Sequence, residues 1–289
     1  MRLTAAVDLH MHTYFSDGLL SPEALLQLCQ RQGLERVAVT DHDSVGGLER
    51  AAAEARRLGL SLVPGVELTA RFSGEMHILG YGIRPADSGL ADFLQEQLLR
   101  RARRNTQMVE RLRDLGMPLT EEDMRQEAGR EEYGRTHMAR VMVKRGVCHS
   151  IDEAFRRFLL PGQPGYVSRE KPPSAQCIAV IRGAGGDAVL AHPGLMGLPD
   201  YQLEPVISQL RGEGLAGVEA FYPQHTPGQT TALRRMADRM GLIVTYGSDY
   251  HGKDRSGEEL LMGWKRRTLP AATLQAAARW SLDEKEDDA

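Results

Sequence analysis

Seven short apolar segments separated by helical patterns constrain the fold of this 289-residue chain more than any other feature. Most have the composition of strands buried on both faces of a parallel sheet. They read AAVDLH, ERVAVTDH, LSLVPGVEL, MHILGYGI, DAVLAHP, AGVEAFY and LIVTYGSDYH. Strands that alternate with helices form right-handed crossovers, and a run of this length favours a closed or nearly closed barrel. The sequence therefore predicts an α/β fold built on a distorted seven-stranded (β/α) barrel.

The alternation of strands and helices stops between residues 95 and 173, where helical patterns occur without a convincing strand. The patterns include the long LADFLQEQLLRRARRNTQMVERLRDLG, the shorter THMARVMVKRG, and a capping-box pattern from Ser150 to Glu153. The segment ends in the proline- and glycine-rich PGQPGYVSREKPPS, which is typical of a connection. We therefore predict a helical insertion, residues 95–173, over one face of a barrel formed by residues 1–94 and 174–289.

Composition excludes several classes of protein. The chain is 42% hydrophobic and 26% charged, with no apolar run long enough to span a bilayer and no secretory leader, which predicts a cytoplasmic protein without a membrane contact. A net charge of −3 provides no overall field to attract nucleic acid, so recognition of a polyanion must be local. Cys29, Cys148 and Cys177 lie far apart without a CxxC pair, which argues against disulfides and thiolate zinc sites. No protein partner is predicted.

Histidines and carboxylates recur near the ends of the predicted strands, where a parallel barrel builds its active site. His10 and His12 alternate along one strand, so their side chains share a face, and Asp249 and His251 repeat that spacing. Any single one of these residues is more simply a buried polar group or a turn former. A whole rim of them would be costly to bury without cations, and imidazoles with carboxylates suit Mn, Zn or Fe. The rim also contains Asp41, His42, Glu67, His77 and His192.

The motifs HMHTYFSDG, TDHD, PGVE, MHILGY, AHP and GSDYHG resemble, in this order, those of the PHP (polymerase and histidinol phosphatase) phosphoesterases. The resemblance covers residues 7–82 and 187–252 and implies a PHP barrel with two or three divalent metal ions. Manganese is the expected metal, and zinc and iron are alternatives. The resemblance implies a first ion held by His10, His12, Glu67 and Asp249. It implies a second held by Glu67, His77 and His192, and a third held by Asp17, His42 and His251. Asp17 departs from family members that have histidine there.

The same resemblance implies how catalysis would proceed. Metal ions of this kind lower the pKa of a bridging water, so that hydroxide can attack phosphorus in line with the leaving oxygen. We expect Glu67 to link the two ions that hold this hydroxide, and Asp17 and His42 to orient the phosphate through the third ion. His225, in the loop FYPQHTPG, is a candidate proton donor to the leaving alcohol or an extra phosphate contact. The alternative is an exposed loop histidine.

The insertion contains candidate phosphate-binding residues. In LLRRARRN, Arg101, Arg104 and Asn105 fall at positions i, i+3 and i+4 and share a helix face suited to a phosphate. An ordinary solvated helix face is the alternative. Further candidates are Arg135, Thr136 and His137 at the start of another helix, where backbone N–H groups add to an anion site, and Lys171 on the return segment.

Within the PHP family, the insertion, GRTHMARVMVKRG and GVEAFYPQHT are most similar to the branch with 3′,5′-nucleoside bisphosphate phosphatases and 5′-to-3′ RNA-trimming enzymes. We therefore predict a metal-dependent phosphomonoesterase. Its expected substrate is a small nucleotide bisphosphate, from which it removes the 3′-phosphate, or a short 5′-phosphorylated RNA. The alternatives that stay open are a histidinol-phosphate-like or other small-molecule phosphatase, a metal-dependent amidohydrolase, and a non-catalytic metal-binding domain.

Overall fold

The computed structural model describes residues 6–129, 133–252 and 271–282. Its seven strands are neighbours in the sheet in the order in which they occur along the chain. They are β1 (Val7–Asp8), β2 (Arg36–Val39), β3 (Ser61–Thr69), β4 (His77–Tyr81), β5 (Asp187–Leu190), β6 (Gly217–Phe221) and β7 (Ile243–Tyr246). The Leu9 N–H donates to the Tyr246 carbonyl at 3.1 Å, and Met11 forms a parallel bridge with Tyr250. These contacts bring the first and last strands together, so the predicted, nearly closed barrel is confirmed.

Strand β4 runs antiparallel to both of its neighbours, whereas the other strand pairs are parallel. Residues 70–76 connect β3 to β4 without a helix, and such a short connection permits a hairpin but no parallel crossover. His77 pairs with Thr69, the last residue of β3. The first residue of β4 therefore lies at the barrel end where β2 and β3 finish.

The described residues form ten α-helices, and their ends follow local signals. They are α1 (Pro22–Arg31), α2 (Leu48–Leu58), α3 (Ser88–Asp114), α4 (Glu121–Ala128), α5 (Arg135–Lys144), α6 (Ile151–Ala154), α7 (Ser174–Gly183), α8 (Asp200–Glu213), α9 (Pro227–Met240) and α10 (Ala271–Trp280). The Ser21 hydroxyl accepts from the Ala24 N–H and starts α1, and Gly59 ends α2 in the left-handed conformation. Among the described helices, none combines the length and apolar composition that a membrane span needs.

The chain divides into two compact units, one formed by Met1–Phe93 with Lys171–Ala289 and the other by Leu94–Glu170. The first contains the barrel and its surrounding helices. The second is helical throughout its described residues and packs around Met108, Leu112, Met124, Met138 and Met142. Within it, α6 is followed by a π-helical turn, Phe155–Leu159. Each unit thus has buried apolar side chains of its own.

Candidate metal centre

The predicted ligands converge in the barrel unit. Three groups of side chains meet there, and within each group the ligand atoms lie within 4.8 Å of one another. The groups are His10, His12, Glu67 and Asp249; His42, Glu67 and His77; and His12, Asp17, His42 and His251. His192 joins through Nε2, which lies 3.1 Å from Glu67 Oε1 and 3.4 Å from His77 Nδ1. All nine predicted ligands therefore lie in one cluster.

Glu67 lies at the centre of this cluster, fully buried near the end of β3. Its two carboxylate oxygens face different sets of imidazoles. Oε2 lies 3.2 Å from His10 Nε2, 3.2 Å from His12 Nε2 and 3.0 Å from His42 Nδ1. Oε1 lies 2.9 Å from His77 Nδ1 and 3.1 Å from His192 Nε2. This is the arrangement expected of a carboxylate that bridges two metal ions.

Asp249 completes the first group from the segment after β7. Its Oδ1 lies 3.1 Å from His12 Nε2, and its Oδ2 accepts a hydrogen bond from the Tyr222 hydroxyl at 3.1 Å. The backbone of Asp249 has a φ of 54°, and that of His192 a φ of 25°, both in a region that residues with a Cβ rarely adopt. Such conformations cost about 1–3 kcal/mol each and concentrate at functional sites. Two ligands thus have backbones that their surroundings must hold in place.

Asp17 and His251 belong to the third group. The Oδ1 atom of Asp17 lies 3.1 Å from His251 Nε2. His251 Nδ1 is 2.8 Å from the Asp249 carbonyl, to which it donates, so its Nε2 has a lone pair available for a cation. The rings of His12 and His251 stack with centroids 4.0 Å apart. The Asp17 carboxylate and the imidazoles of His12, His42 and His251 therefore bring their ligand atoms within 4.8 Å of one another.

The loop that carries Asp17 is held by Asp41, which the sequence placed on the rim without a role. The buried Asp41 carboxylate accepts from the Thr13 N–H at 2.8 Å, the Thr13 hydroxyl at 2.6 Å and the Ser16 hydroxyl at 2.5 Å. Burial raises the pKa of Asp41, and these hydrogen bonds counteract that rise. Asp41 therefore fixes Thr13 and Ser16, in the turn that leads to Asp17.

The donor atoms of the cluster fit divalent metal ions. Five of its buried nitrogen and oxygen atoms make no hydrogen bond within the described part of the chain, although an unsatisfied buried polar atom is costly. They are His10 Nε2, His12 Nε2, His42 Nδ1, Glu67 Oε2 and His251 Nε2. They point at one another, and the set contains imidazoles and carboxylates without a thiolate. This chemistry matches Mn, Zn or Fe.

The charges of the ligands support the same interpretation. Burial alone would raise the pKa of Glu67, but the imidazoles of His42, His10 and His77 hold it well below its usual value. Burial would lower the pKa of His10, but the carboxylates of Glu67, Glu219 and Asp249 raise it well above the usual value. Glu67 therefore stays ionised, and the carboxylates around His10 favour a proton on its ring. A metal ion replaces such protons when it binds.

His225 has both ring nitrogens engaged with the backbone. Its Nδ1 is 3.1 Å from the Ala220 carbonyl, to which it donates, and its Nε2 accepts from the Gly194 N–H at 3.0 Å. Burial lowers the pKa of His225, so the neutral ring is favoured. His225 is buried rather than an exposed loop residue and ties its loop to the segment that follows His192. Its role as a proton donor stays a prediction.

Glu219 is a buried residue of the centre that the sequence interpretation missed. Its carboxylate lies 3.1 Å from His10 Nδ1, a residue 209 positions away, and accepts from the His192 N–H at 2.8 Å. The available signal was a lone carboxylate in the middle of the apolar strand AGVEAFY. Such a residue needs a partner when it is buried.

The helical unit gathers part of the predicted phosphate-binding set. Burial, together with the positive charges of Arg135, Arg101 and Arg169, lowers the pKa of Arg104 to about 9. The buried Arg104 Nε makes no hydrogen bond within the described residues. Arg135 lies over the rings of Phe155 and Tyr166, 5.7 Å and 5.9 Å from their centroids. Arg169 was not predicted from the sequence. Clustered guanidinium groups repel one another, so an anion there would relieve the repulsion.

The remaining predicted substrate contacts are Asn105, Thr136 and His137 in this unit and Lys171 in the barrel unit. The buried Asn105 donates from its amide to the Tyr133 carbonyl, and His137 Nδ1 accepts from the Gly134 N–H at 3.0 Å. Thr136 is also buried, in the first turn of α5. That these residues contact a substrate stays a prediction.

The nearly closed α/β barrel and its imidazole–carboxylate centre define a metal-dependent hydrolase. The PHP domain model matches residues 8–133. The chain is 35% identical over 258 residues to a 3′,5′-nucleoside bisphosphate phosphatase of Chromobacterium violaceum, covering 89% of this chain and 90% of that protein. It is 34% identical over 247 residues to the 5′-3′ exoribonuclease Rnm of Salmonella typhimurium, covering 84% of each.

A solved structure agrees with these relatives. A Bifidobacterium adolescentis protein assigned as a metal-dependent phosphoesterase superposes with a TM-score of 0.85 at 30% identity, covering 96% of this chain and 98% of that one. The chain belongs to the PHP family of metal-dependent phosphoesterases.

Proposed function

We propose that this protein hydrolyses the 3′-phosphate of nucleoside 3′,5′-bisphosphates and also degrades short 5′-phosphorylated RNA from its 5′ end. The observation that carries the proposal is Glu67, whose two oxygens face separate imidazole sets next to a third ligand group. A phosphatase of bisphosphates and an RNA exonuclease are both among the relatives of the chain.

We propose one allocation of residues to metal ions, in which His192 replaces the His42 that the structure groups with Glu67 and His77; manganese is the expected metal, and zinc and iron are alternatives. His10, His12, Glu67 and Asp249 would hold the first ion; Glu67, His77 and His192 the second; and Asp17, His42 and His251 the third. When bound, such ions lower the pKa of water and neutralise charge on phosphoryl oxygens. Glu67 would be the carboxylate shared by the first two ions, and Asp17 and His42 would hold the third, which would orient the phosphate.

We propose His225 as the proton donor to the leaving alcohol. Its neutral ring has one N–H, and this N–H faces the Ala220 carbonyl. The Nε2 atom would have to release the Gly194 N–H and take up a proton before it donates one. The alternative role, an extra contact to the phosphate, needs the same release.

The arginine cluster of the helical unit supports a second phosphate on the substrate. Arg101, Arg104 and Arg135 place three positive charges near one another, together with Arg169. A phosphate dianion bound there would neutralise part of this charge through paired N–H donors. The remaining proposed contacts are Asn105, Thr136, His137 and Lys171.

The proposed binding of a second phosphate by the arginine cluster also discriminates between the competing activities. A histidinol-phosphate-like substrate has one phosphate, and the amide substrate of an amidohydrolase has none, so neither needs the arginine cluster. A nucleoside bisphosphate and a 5′-phosphorylated RNA each have a second phosphate. A cytoplasmic location and the lack of a protein partner stay predictions.

The proposal is tested by phosphate release from a panel of compounds. The panel contains adenosine 3′,5′-bisphosphate, histidinol phosphate, p-nitrophenyl phosphate, a short 5′-phosphorylated oligoribonucleotide and an N-acyl amino acid. We expect the highest kcat/KM for the bisphosphate, with adenosine 5′-phosphate as the chromatographically identified product, and slower release of mononucleotides from the RNA. A higher kcat/KM for histidinol phosphate, or cleavage of the amide alone, would overturn the proposal.

A further inference from the structure

We propose that Glu219 is a positioning residue that prepares both His10 and His192 for metal binding. The inference rests on the proposed metal centre but concerns a residue outside its ligand set. Glu219 lies on β6 and is fully buried, and its carboxylate reaches one ligand of the first ion and one of the second. A single side chain thereby couples the geometry of two metal sites.

The first contact selects one tautomer of His10. Glu219 Oε1 lies 3.1 Å and Oε2 3.4 Å from His10 Nδ1. An ionised carboxylate only accepts hydrogen bonds, so Nδ1 must carry the proton. The opposite nitrogen, Nε2, faces Glu67 Oε2 at 3.2 Å and Asp249 Oδ1 at 3.4 Å. With Nδ1 protonated in this way, Nε2 would be the nitrogen left to bind the first ion.

The second contact holds the backbone of His192. The Glu219 Oε2 atom accepts from the His192 N–H at 2.8 Å, and His192 has a φ of 25°. A strained backbone persists only where its surroundings hold it. In this conformation the His192 ring places Nε2 3.1 Å from Glu67 Oε1, on the side of the second ion.

Gly247 packs closely against both His10 and Glu219. A Cβ added at Gly247 would lie 2.2 Å from His10 Cβ and 2.5 Å from Glu219 Oε1. Only a residue without a side chain lets the segment after β7 approach this closely. His10 and Glu219 therefore pack closely against the same backbone segment.

Replacement of Glu219 by glutamine keeps the shape and removes one acceptor. If the amide oxygen faces the His192 N–H, the amide NH₂ faces His10 Nδ1 and moves the imidazole proton to Nε2. If the amide is flipped, its NH₂ opposes the His192 N–H. Either orientation disfavours one of the two metal ligands, since donors cannot pair with donors.

The test is the zinc affinity of Glu219→Gln, measured by competition with a chromophoric chelator. We expect the first and second ions to bind about 10–100-fold more weakly, as for other carboxylates behind metal-binding histidines, with the third ion less affected. Glu54→Gln is the matched control, because Glu54 is a buried carboxylate bonded to Gln27 and Arg57 in helices outside the centre. A folded Glu219→Gln protein with the zinc affinities of the wild type would overturn the proposal.

A second measurement does not depend on the variant folding. In the zinc-loaded wild-type protein, ¹⁵N NMR of labelled histidine should show His10 protonated at Nδ1 and metal-bound at Nε2. Metal binding through His10 Nδ1 would contradict the proposal. Neither readout involves a substrate, so failure of the proposed phosphatase activity leaves both tests of Glu219 intact.

Discussion

Glu67 Oε1 lies 2.9 Å from Nδ1 of His77, across the antiparallel pair formed by β3 and β4. His77 pairs with Thr69, and Glu67 lies two positions before Thr69, so both side chains are on one face of the hairpin. If β4 were parallel to β3, it would start at the opposite end of the barrel, and His77 would lie far from Glu67. The reversal of this one strand therefore completes the second ligand group.

Glu67→Gln should separate the two ions that this carboxylate is proposed to share. An amide has one oxygen for a metal, and its NH₂ cannot coordinate. We expect less metal bound per chain, measured by mass spectrometry of the elements, and a fall in kcat of about 10²–10³-fold, the size found when one stabiliser of a developing charge is removed. Unchanged metal content with unchanged kcat would contradict the bridging role.

Arg104→Gln should weaken binding of a bisphosphate while leaving a simple phosphate ester unaffected. Loss of a charged hydrogen bond costs about 1.5–3 kcal/mol, which corresponds to a rise in KM of about 10–150-fold. Arg113→Gln is the control, because Arg113 is an exposed residue of the same helix. Equal changes in KM for adenosine 3′,5′-bisphosphate and p-nitrophenyl phosphate would contradict the proposal that Arg104 binds the second phosphate.

Asp41→Ala should release the turn that presents Asp17. The substitution removes the acceptor for the Thr13 N–H and for two hydroxyls. We expect the affinity of the third ion to fall about 10-fold or more, while the first and second ions keep theirs. Calorimetric metal titrations of variant and wild type measure this, and identical titration curves would show that Asp41 has no such role.

Asp8→Asn should change stability in a pH-dependent way in metal-free protein. Burial raises the pKa of Asp8 from 3.8 to about 6, and its Oδ2 has no hydrogen bond within the described residues. The folded state therefore holds a proton that the unfolded state releases, so Asp8 costs stability as the pH rises from 3.8 through 6. Its cost is absent at lower pH.

Asparagine cannot ionise, so the advantage of Asp8→Asn over the wild type should grow with pH. The shift corresponds to up to about 3 kcal/mol at pH 8 and roughly half of that at pH 5. Urea unfolding in the presence of a chelator measures both values. An equal difference in unfolding free energy at the two pH values would contradict the assignment.

The barrel and the candidate ligands could be predicted because their signals are local. An HxH pair, a carboxylate at the end of an apolar run and a glycine after a helix are each readable within a few residues. The resemblance to the PHP motifs added a second signal, because the candidate ligands occur along the chain in the same order as in that family. His10, Glu67 and Asp249 then meet because the closing barrel brings the ends of their strands together.

The remaining features depend on contacts that no local pattern encodes. Glu219 acts on His10 across 209 positions, and the antiparallel β4 follows from a short connection rather than from the composition of the strand. The loop sequence around His225 does not show that this residue is buried, with both ring nitrogens bonded to the backbone at Ala220 and Gly194. Arg169 joins the arginine cluster from a segment that the sequence indicates only as a connection.

The most direct test of the centre is phosphate release from adenosine 3′,5′-bisphosphate by protein stripped of metal with a chelator and then titrated with Mn²⁺. We predict no release by the stripped protein and recovery of activity as Mn²⁺ fills the sites, up to three ions for the three ligand groups. Full activity of the metal-free protein would contradict metal-dependent hydrolysis at this site.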